Sequence, residues 1–338
     1  MAVGIGAGPV TADGPGPSVA APRGRRRALR LPRSWKIRVG IGLLGFFILM
    51  AIIGPLVAPY SPNETFANAP VPLPPSAAHL LGTTQLQQDV FSQLLVGGGS
   101  MLLVALIGGV IATALSVLVG VAAGYLGGQS DNFLSMVTNI FLVMPALPLL
   151  IIMFGFLGKA SGNIFVIGLI ISVTGWAWGA RVLRVQTLTL RNRDYIDSAR
   201  ITGERGSRII LAEILPNLTP IVASSFLFTV LYAVGTYSAL AFLGLVNPNW
   251  NWGGMLFYAQ LSNAELTGYW WWFVPPGLAI ALLGTSLVLL NFGIDEFINP
   301  RLRIAGLSRR SGRRGRARAG SRQTFALTPV IRAEGGQS

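Results

Sequence analysis

Residues 195–220 read YIDSARITGERGSRIILAEILPNLTP, a charged stretch set between two long runs that carry no charge. A polar segment between two membrane-length apolar runs cannot be an anchor, so it lies in water and is available to a soluble partner. From Asp194 to about Thr202 the residues favour a short helix. Gly203 permits a sharp turn, Ser207 can cap a second helix running to Leu215, and Pro216 stops it. On that second helix Ile210, Leu211 and Ile214 recur at helical spacing and form one apolar face. Such a face either docks in a groove on a partner or lies on the membrane surface.

The flanking runs set the fold class. Of the 338 residues 52% are hydrophobic and 11% charged, against about 25% charged in an ordinary soluble domain. Six spans are predicted: 39–58, 101–125, 133–157, 160–180, 219–243 and 273–294, the second preceded by a short approach helix. The architecture expected is an all-α polytopic membrane protein. Its membrane domain covers 39–304 and includes a cytoplasmic loop at 183–218, with disordered basic tails at 1–38 and 305–338. The basic flank of the first span imitates a signal peptide, but five spans follow it, so a retained helix is expected.

Within the spans, Gly120, Gly124 and Gly128 recur every four residues and leave one helix face bare for close approach. Pro145 and Pro148 interrupt the third span. Freed carbonyls there need a neighbour or water, which makes Met144, Pro145 and Pro148 candidates for a translocation path, with simple packing the other reading. Trp250, Trp252, Trp270, Trp271 and Trp272 suit an interfacial belt or, alternatively, a sugar or peptide site.

The net charge of +14 would suggest nucleic acid in a soluble protein. Here the arginines fall in three blocks with only Trp35, Tyr195 and Phe325 among them, flanking apolar runs, so no nucleic-acid partner is expected. The first tail holds eight Lys and Arg, segment 181–218 seven and the last tail ten; of the 26, only Lys159 is left for the opposite side. The positive-inside rule then places both termini and residue 205 in the cytoplasm, with residues 65 and 262 outside. The arginines of 309–322 suit anionic membrane lipid.

Much chemistry is excluded. There is no cysteine, and the lone His79, expected as a solvated loop residue, cannot hold a metal alone. No Asp, Glu, Lys, Arg or His lies well inside the predicted spans, which removes the relay an ion-coupled carrier or intramembrane enzyme needs. The nearest imitation of a phosphate loop, Gly158-Lys159-Ala160, has Met153 where its leading glycine should stand. No catalytic residue is identified, and any ATP must be bound by a partner.

The quoted stretch resembles the cytoplasmic loop of ABC importer permeases, in which Glu-Ala-Ala is followed by Gly after three residues and later by Leu-Pro. Asp197, Ser198 and Ala199 occupy the triplet, Gly203 the glycine, and Leu215-Pro216 the end; Asp replaces Glu, and Glu213 takes a usually apolar position. His79-Leu80-Leu81-Gly82-Thr83 with Asp89-Val90, Tyr125-Leu126-Gly127-Gly128, Trp252-Gly253-Gly254-Met255-Leu256 and Asn299-Pro300-Arg301 are similar to C-type permease subunits of dipeptide and oligopeptide importers. Gln87-Gln88 stands where those proteins usually carry Gly-Arg. The resemblance spans about residues 35–304 and implies the type I importer permease fold. It assigns ATPase docking to Tyr195, Asp197, Ser198, Ala199, Gly203, Ile210, Leu211, Ile214, Leu215 and Pro216. It also implies a homologous B-type permease partner, two ATPase subunits that bind ATP and Mg, an extracytoplasmic binding protein, and a bacterial inner-membrane location. Small peptides are the implied substrate, with nickel chelates or oligosaccharides as alternatives.

Overall fold

The computed structural model describes residues 35–66, 72–157, 162–246 and 251–298. The predicted tails therefore lie outside the described residues, except that α1 (Trp35–Val57) begins four residues before the predicted span. Lys159 and Trp250 also lie outside them. Helices α2 (Val90–Leu126), α3 (Gly128–Val143), α4 (Ala146–Leu157), α5 (Ile164–Arg191), α6 (Asp194–Ile201), α7 (Gly206–Arg208), α8 (Leu215–Phe242), α9 (Trp252–Leu261) and α10 (Trp270–Ile298) follow. A π turn, Ile209–Ile214, joins α7 to α8. Among the described residues five helical segments are long and apolar enough to span a membrane, and α3 with α4 makes a sixth if that bent pair is one span.

Three predicted spans change most. The approach helix and second span are one 37-residue helix, because Asp89 caps it and no breaker occurs before Gly127. The Asp89 carboxylate accepts from the Ser92 amide at 2.8 Å and the Ser92 hydroxyl at 2.7 Å. At about 55 Å this helix exceeds the roughly 30 Å hydrocarbon core. The fourth span continues to Arg191, so Arg181 and Arg184 lie on a span helix. The third span is bent by 89° at Met144–Pro145. Met144 takes an extended conformation, as a residue before proline prefers, and Pro145 has no amide to continue the ladder. Pro148 breaks nothing, because it stands in the first turn of α4, where the amide it lacks has no helical acceptor.

α2 is the central helix and packs on α5, α8 and α1. Small residues set the approach to α5. A methyl group on Gly120 would collide with the Ala180 carbonyl oxygen, and one on Gly124 would sit 2.6 Å from Thr187 Cβ. The predicted glycine face ends there, since Gly128 meets nothing and, at φ +56°, turns the chain into α3. Buried polar bonds join the same helices. Ser116 donates to the Trp176 carbonyl at 2.6 Å, and Thr113 pairs with Thr229 at 2.9 Å. Each is worth about 0.6 kcal/mol where measured in comparable membrane bundles.

Two further expectations are corrected at the end of the bundle that holds the 72–89 loop. His79 is not solvated; it is buried, with Nδ1 3.0 Å from Asp89 Oδ1, and so ties the loop to the start of α2. Trp252, Trp271 and Trp272 are not a surface belt either. Trp252 donates to the Leu94 carbonyl at 2.9 Å and Trp271 to that of Thr83 at 3.3 Å, so their polar edges are satisfied inside the protein. Trp270 alone of the four described tryptophans of this cluster is well exposed.

Candidate functional site

The segment between α5 and α8 folds as a hairpin of two short helical pieces. Asp194 and Asp197 occupy the first turn of α6 and Arg200 its last, which complements the helix dipole at both ends. Asp197 also pairs with Arg200 at 2.9 Å, an exposed i,i+3 bridge of small worth. Gly203 closes the helix with φ +80°. Its amide donates to the Arg200 carbonyl at 3.0 Å and the Glu204 amide to that of Ala199 at 3.1 Å, the two bonds of a Schellman cap. The predicted sharp turn at glycine is therefore present, and it is a left-handed one.

The second helical piece differs from expectation. Arg205, not Ser207, stands at its N-cap, and Ser207 lies inside α7. Pro216 does not stop it, because Gly206–Phe242 is continuous. The π turn explains both its passage and its phase. A proline in a regular helix would leave the carbonyl four residues back unpaired and in collision with its ring. Here the Leu215 amide already bonds the Ile210 carbonyl, five residues back, and the Asn217 side chain donates to the Glu213 carbonyl at 2.6 Å.

That phase decides which side chains are available. Ile214, expected on the docking face, is fully buried with Ile196 and Ile209 against Val121, Leu183 and Leu218, and Ile210 and Leu215 pack on the edge of this cluster. Leu211 remains outside, 66% exposed. Ile201, which the sequence reading missed, is 87% exposed at the end of α6. Its signal was a branched apolar side chain one residue before a capping Thr-Gly pair. Tyr195, Asp197, Ser198, Gly203 and Pro216 are exposed, while Ala199 is half-buried. Between Thr202–Arg205 and Ser207, Arg208 and Leu211 lies an open cleft of about 810 Å³. Arg208 bridges Glu204 across it at 2.9 Å.

The hairpin is braced from beneath. Gly206 packs on the Tyr125 ring, and the Arg200 guanidinium stands 5.7 Å over the same ring. Its buried face thus touches the ends of α2, α5 and α8. The structure does not bring Met144, Pro145 and Pro148 into this site; all three are exposed at the α3–α4 bend. Among the described residues no group of three or more His, Asp or Glu could hold a metal.

The family model for binding-protein-dependent transport system inner membrane components matches residues 116–304, which include the whole hairpin. A model for the N-terminal transmembrane domain of oligopeptide transport permease C matches residues 29–75. The chain is similar to the dipeptide transport system permease protein DppC of Bacillus subtilis, 32% identical over 81% of this chain and 84% of the relative. It is also similar to the oligopeptide transport system permease protein OppC of Mycobacterium tuberculosis, 30% identical over 81% and 94% respectively. A multi-pass helical membrane chain whose matched region carries both the spans and the polar hairpin thus belongs to the family of binding-protein-dependent transport system inner membrane components.

Proposed function

We propose that this chain is the C-type transmembrane subunit of an ATP-driven importer of small peptides, and that its 193–216 hairpin is the element on which a cytoplasmic ATPase subunit docks. The observation that carries this reading is the two-sidedness of the hairpin. Ile196, Ile209 and Ile214 bury one side on α2, α5 and α8, while Ile201 and Leu211 leave large apolar surface in water beside a cleft. Exposed apolar groups on an otherwise charged hairpin are characteristic of a protein contact. Tyr195, Asp197, Ser198, Gly203 and Arg205 form the polar rim.

In this reading the chain makes and breaks no bond. ATP and Mg are bound by two partner ATPase subunits, a homologous B-type permease completes the pathway, and an extracytoplasmic binding protein delivers the peptide. Closure of the ATPase pair pushes the hairpin, and its rigid seat on three helices converts that push into alternating access. The bacterial inner membrane holds the complex with both termini in the cytoplasm, as the arginine distribution favours. Peptide relatives among permeases of similar length support the substrate class.

The test is recovery of ATPase subunits with the purified complex. Ile201→Asp and Leu211→Asp place a charge in the contact without touching the buried cluster, and each is expected to lose the ATPases while the chain still inserts and folds. Full recovery and full peptide uptake in the double variant would refute the docking face.

A further inference from the structure

The face of α3 turned away from its neighbours carries two side-chain amides, Asn132 and Asn139, among exposed apolar groups. Thr138 is the buried residue of this helix. On the exposed side Asn132, Met136, Asn139 and Val143 follow one another at intervals of four, three and four residues, a single stripe along the helix with Ser135 and the exposed Ile140 beside it. They line an open groove of about 830 Å³ that ends on Met144 and Pro145 at the bend. The outer face of α1 shows what lipid accepts: Ile41, Phe46, Leu49, Ile52 and Leu56 are all exposed there. Side-chain amide groups facing hydrocarbon lose their water, and any donor or acceptor left without a protein partner there is costly.

A second observation fixes how one amide is presented. Arg181 Nη2 donates to Asn139 Oδ1 at 2.6 Å. A guanidinium has donors only, so the amide oxygen faces it, and the NH2 group of Asn139 is left for the groove. The base of α3 is held as firmly, because Arg184 grips the Asp131 carboxylate with two bonds of 2.5 and 2.7 Å. The stripe therefore stands on a fixed support, with polar groups preset along it.

We propose that this stripe is a wall of the water-filled translocation path, and that the Asn132 and Asn139 amides meet the main-chain groups of an extended peptide in transit. The proposal rests on the reading of the chain as a peptide importer subunit. Main-chain amides are common to every peptide, so donors and acceptors spaced along a helix serve sequence-independent passage. Met136, Val143 and Met144 offer the adaptable apolar surface that varied side chains require.

The cysteine-free chain makes the test direct. Single cysteines at positions 132, 136, 139 and 143, and a control Phe133→Cys on the adjoining exposed apolar face, are placed in the full importer complex in proteoliposomes and treated with a charged thiosulfonate. The four stripe positions are expected to react, and to be protected when a transported tripeptide is saturating; position 133 is expected to stay unreactive. No reaction at the stripe in an intact complex overturns the proposal, whether lipid or the partner permease covers it. Equal reaction at 133, or reaction without peptide protection, overturns it as well. Recovery of the ATPase subunits, scored separately, distinguishes these outcomes from failure of the underlying reading. Asn139→Leu is expected to raise the peptide concentration for half-maximal uptake roughly fivefold, the loss of one neutral hydrogen bond. An unchanged value would remove the peptide contact.

Discussion

Replacing Gly203 tests whether a left-handed turn holds the hairpin proposed to dock the ATPase. The residue has φ +80°, and a Cβ built there would meet nothing within 4 Å, so size carries no penalty and the whole cost is conformational. For an ordinary L-residue that cost is about 1–2 kcal/mol, and a β-branched side chain lies at or above the upper end. Asparagine visits this region readily and is the common substitute for glycine at such caps. The order expected is therefore Gly, then Asn, then Ala, then Val, a ranking unrelated to side-chain volume. A loss of 1–2 kcal/mol lowers the population of the capped turn about 5- to 30-fold relative to its opened form. ATP hydrolysis and peptide uptake are measured together in proteoliposomes containing the full complex. Gly203→Val is expected to reduce peptide moved per ATP hydrolysed, with the complex still assembled, and Gly203→Asn to stay close to the parent. Normal coupling in Gly203→Val would refute the requirement for the turn. An Asn variant as poor as Val would show that an unobserved steric contact, and not φ, governs the position.

Gly120→Leu pushes a side chain into the Ala180 backbone, where no rotamer can relieve it; the melting temperature in detergent is expected to fall by an amount equivalent to at least 1–3 kcal/mol. Asp89→Ala removes the α2 cap together with the partner of buried His79, and thermal unfolding in detergent should show a loss of about 1–2 kcal/mol; an unchanged melting temperature would deny the cap any weight. For orientation, cysteines at Thr65, Ser207 and Ser262 are labelled with an impermeant maleimide in intact cells. Thr65→Cys and Ser262→Cys should react and Ser207→Cys should not, the reverse pattern overturning the positive-inside assignment.

Much of the fold is legible without coordinates because its cause is local. Apolar runs of membrane length and the polar interruption at 193–216 are properties of neighbouring residues, and both survive in the structure, whereas most of the segregated arginines lie outside the described residues. Pro145 breaks the third span for an equally local reason, a missing amide beside a residue that avoids helical angles. The turn at Gly203 is of the same kind.

What the tertiary structure decided is which side of each element is inside. Helical spacing groups Ile210, Leu211 and Ile214 on one face, but it holds only for a regular helix. The π turn that carries the chain past Pro216 shifts the phase, and packing against α2, α5 and α8 then takes Ile214 inward and leaves Leu211 and Ile201 in water. His79 and Trp271 were misjudged for a related reason. Their polar atoms are satisfied by Asp89, ten residues away, and by Thr83, 188 residues away, and burial of a polar group depends on whether a partner arrives in space. Hydrophobic pattern determined that this chain crosses a membrane and where its charged hairpin lies. Long-range contact determined which residues of that hairpin face water, because only the packed neighbours settle which apolar side chains are already spent.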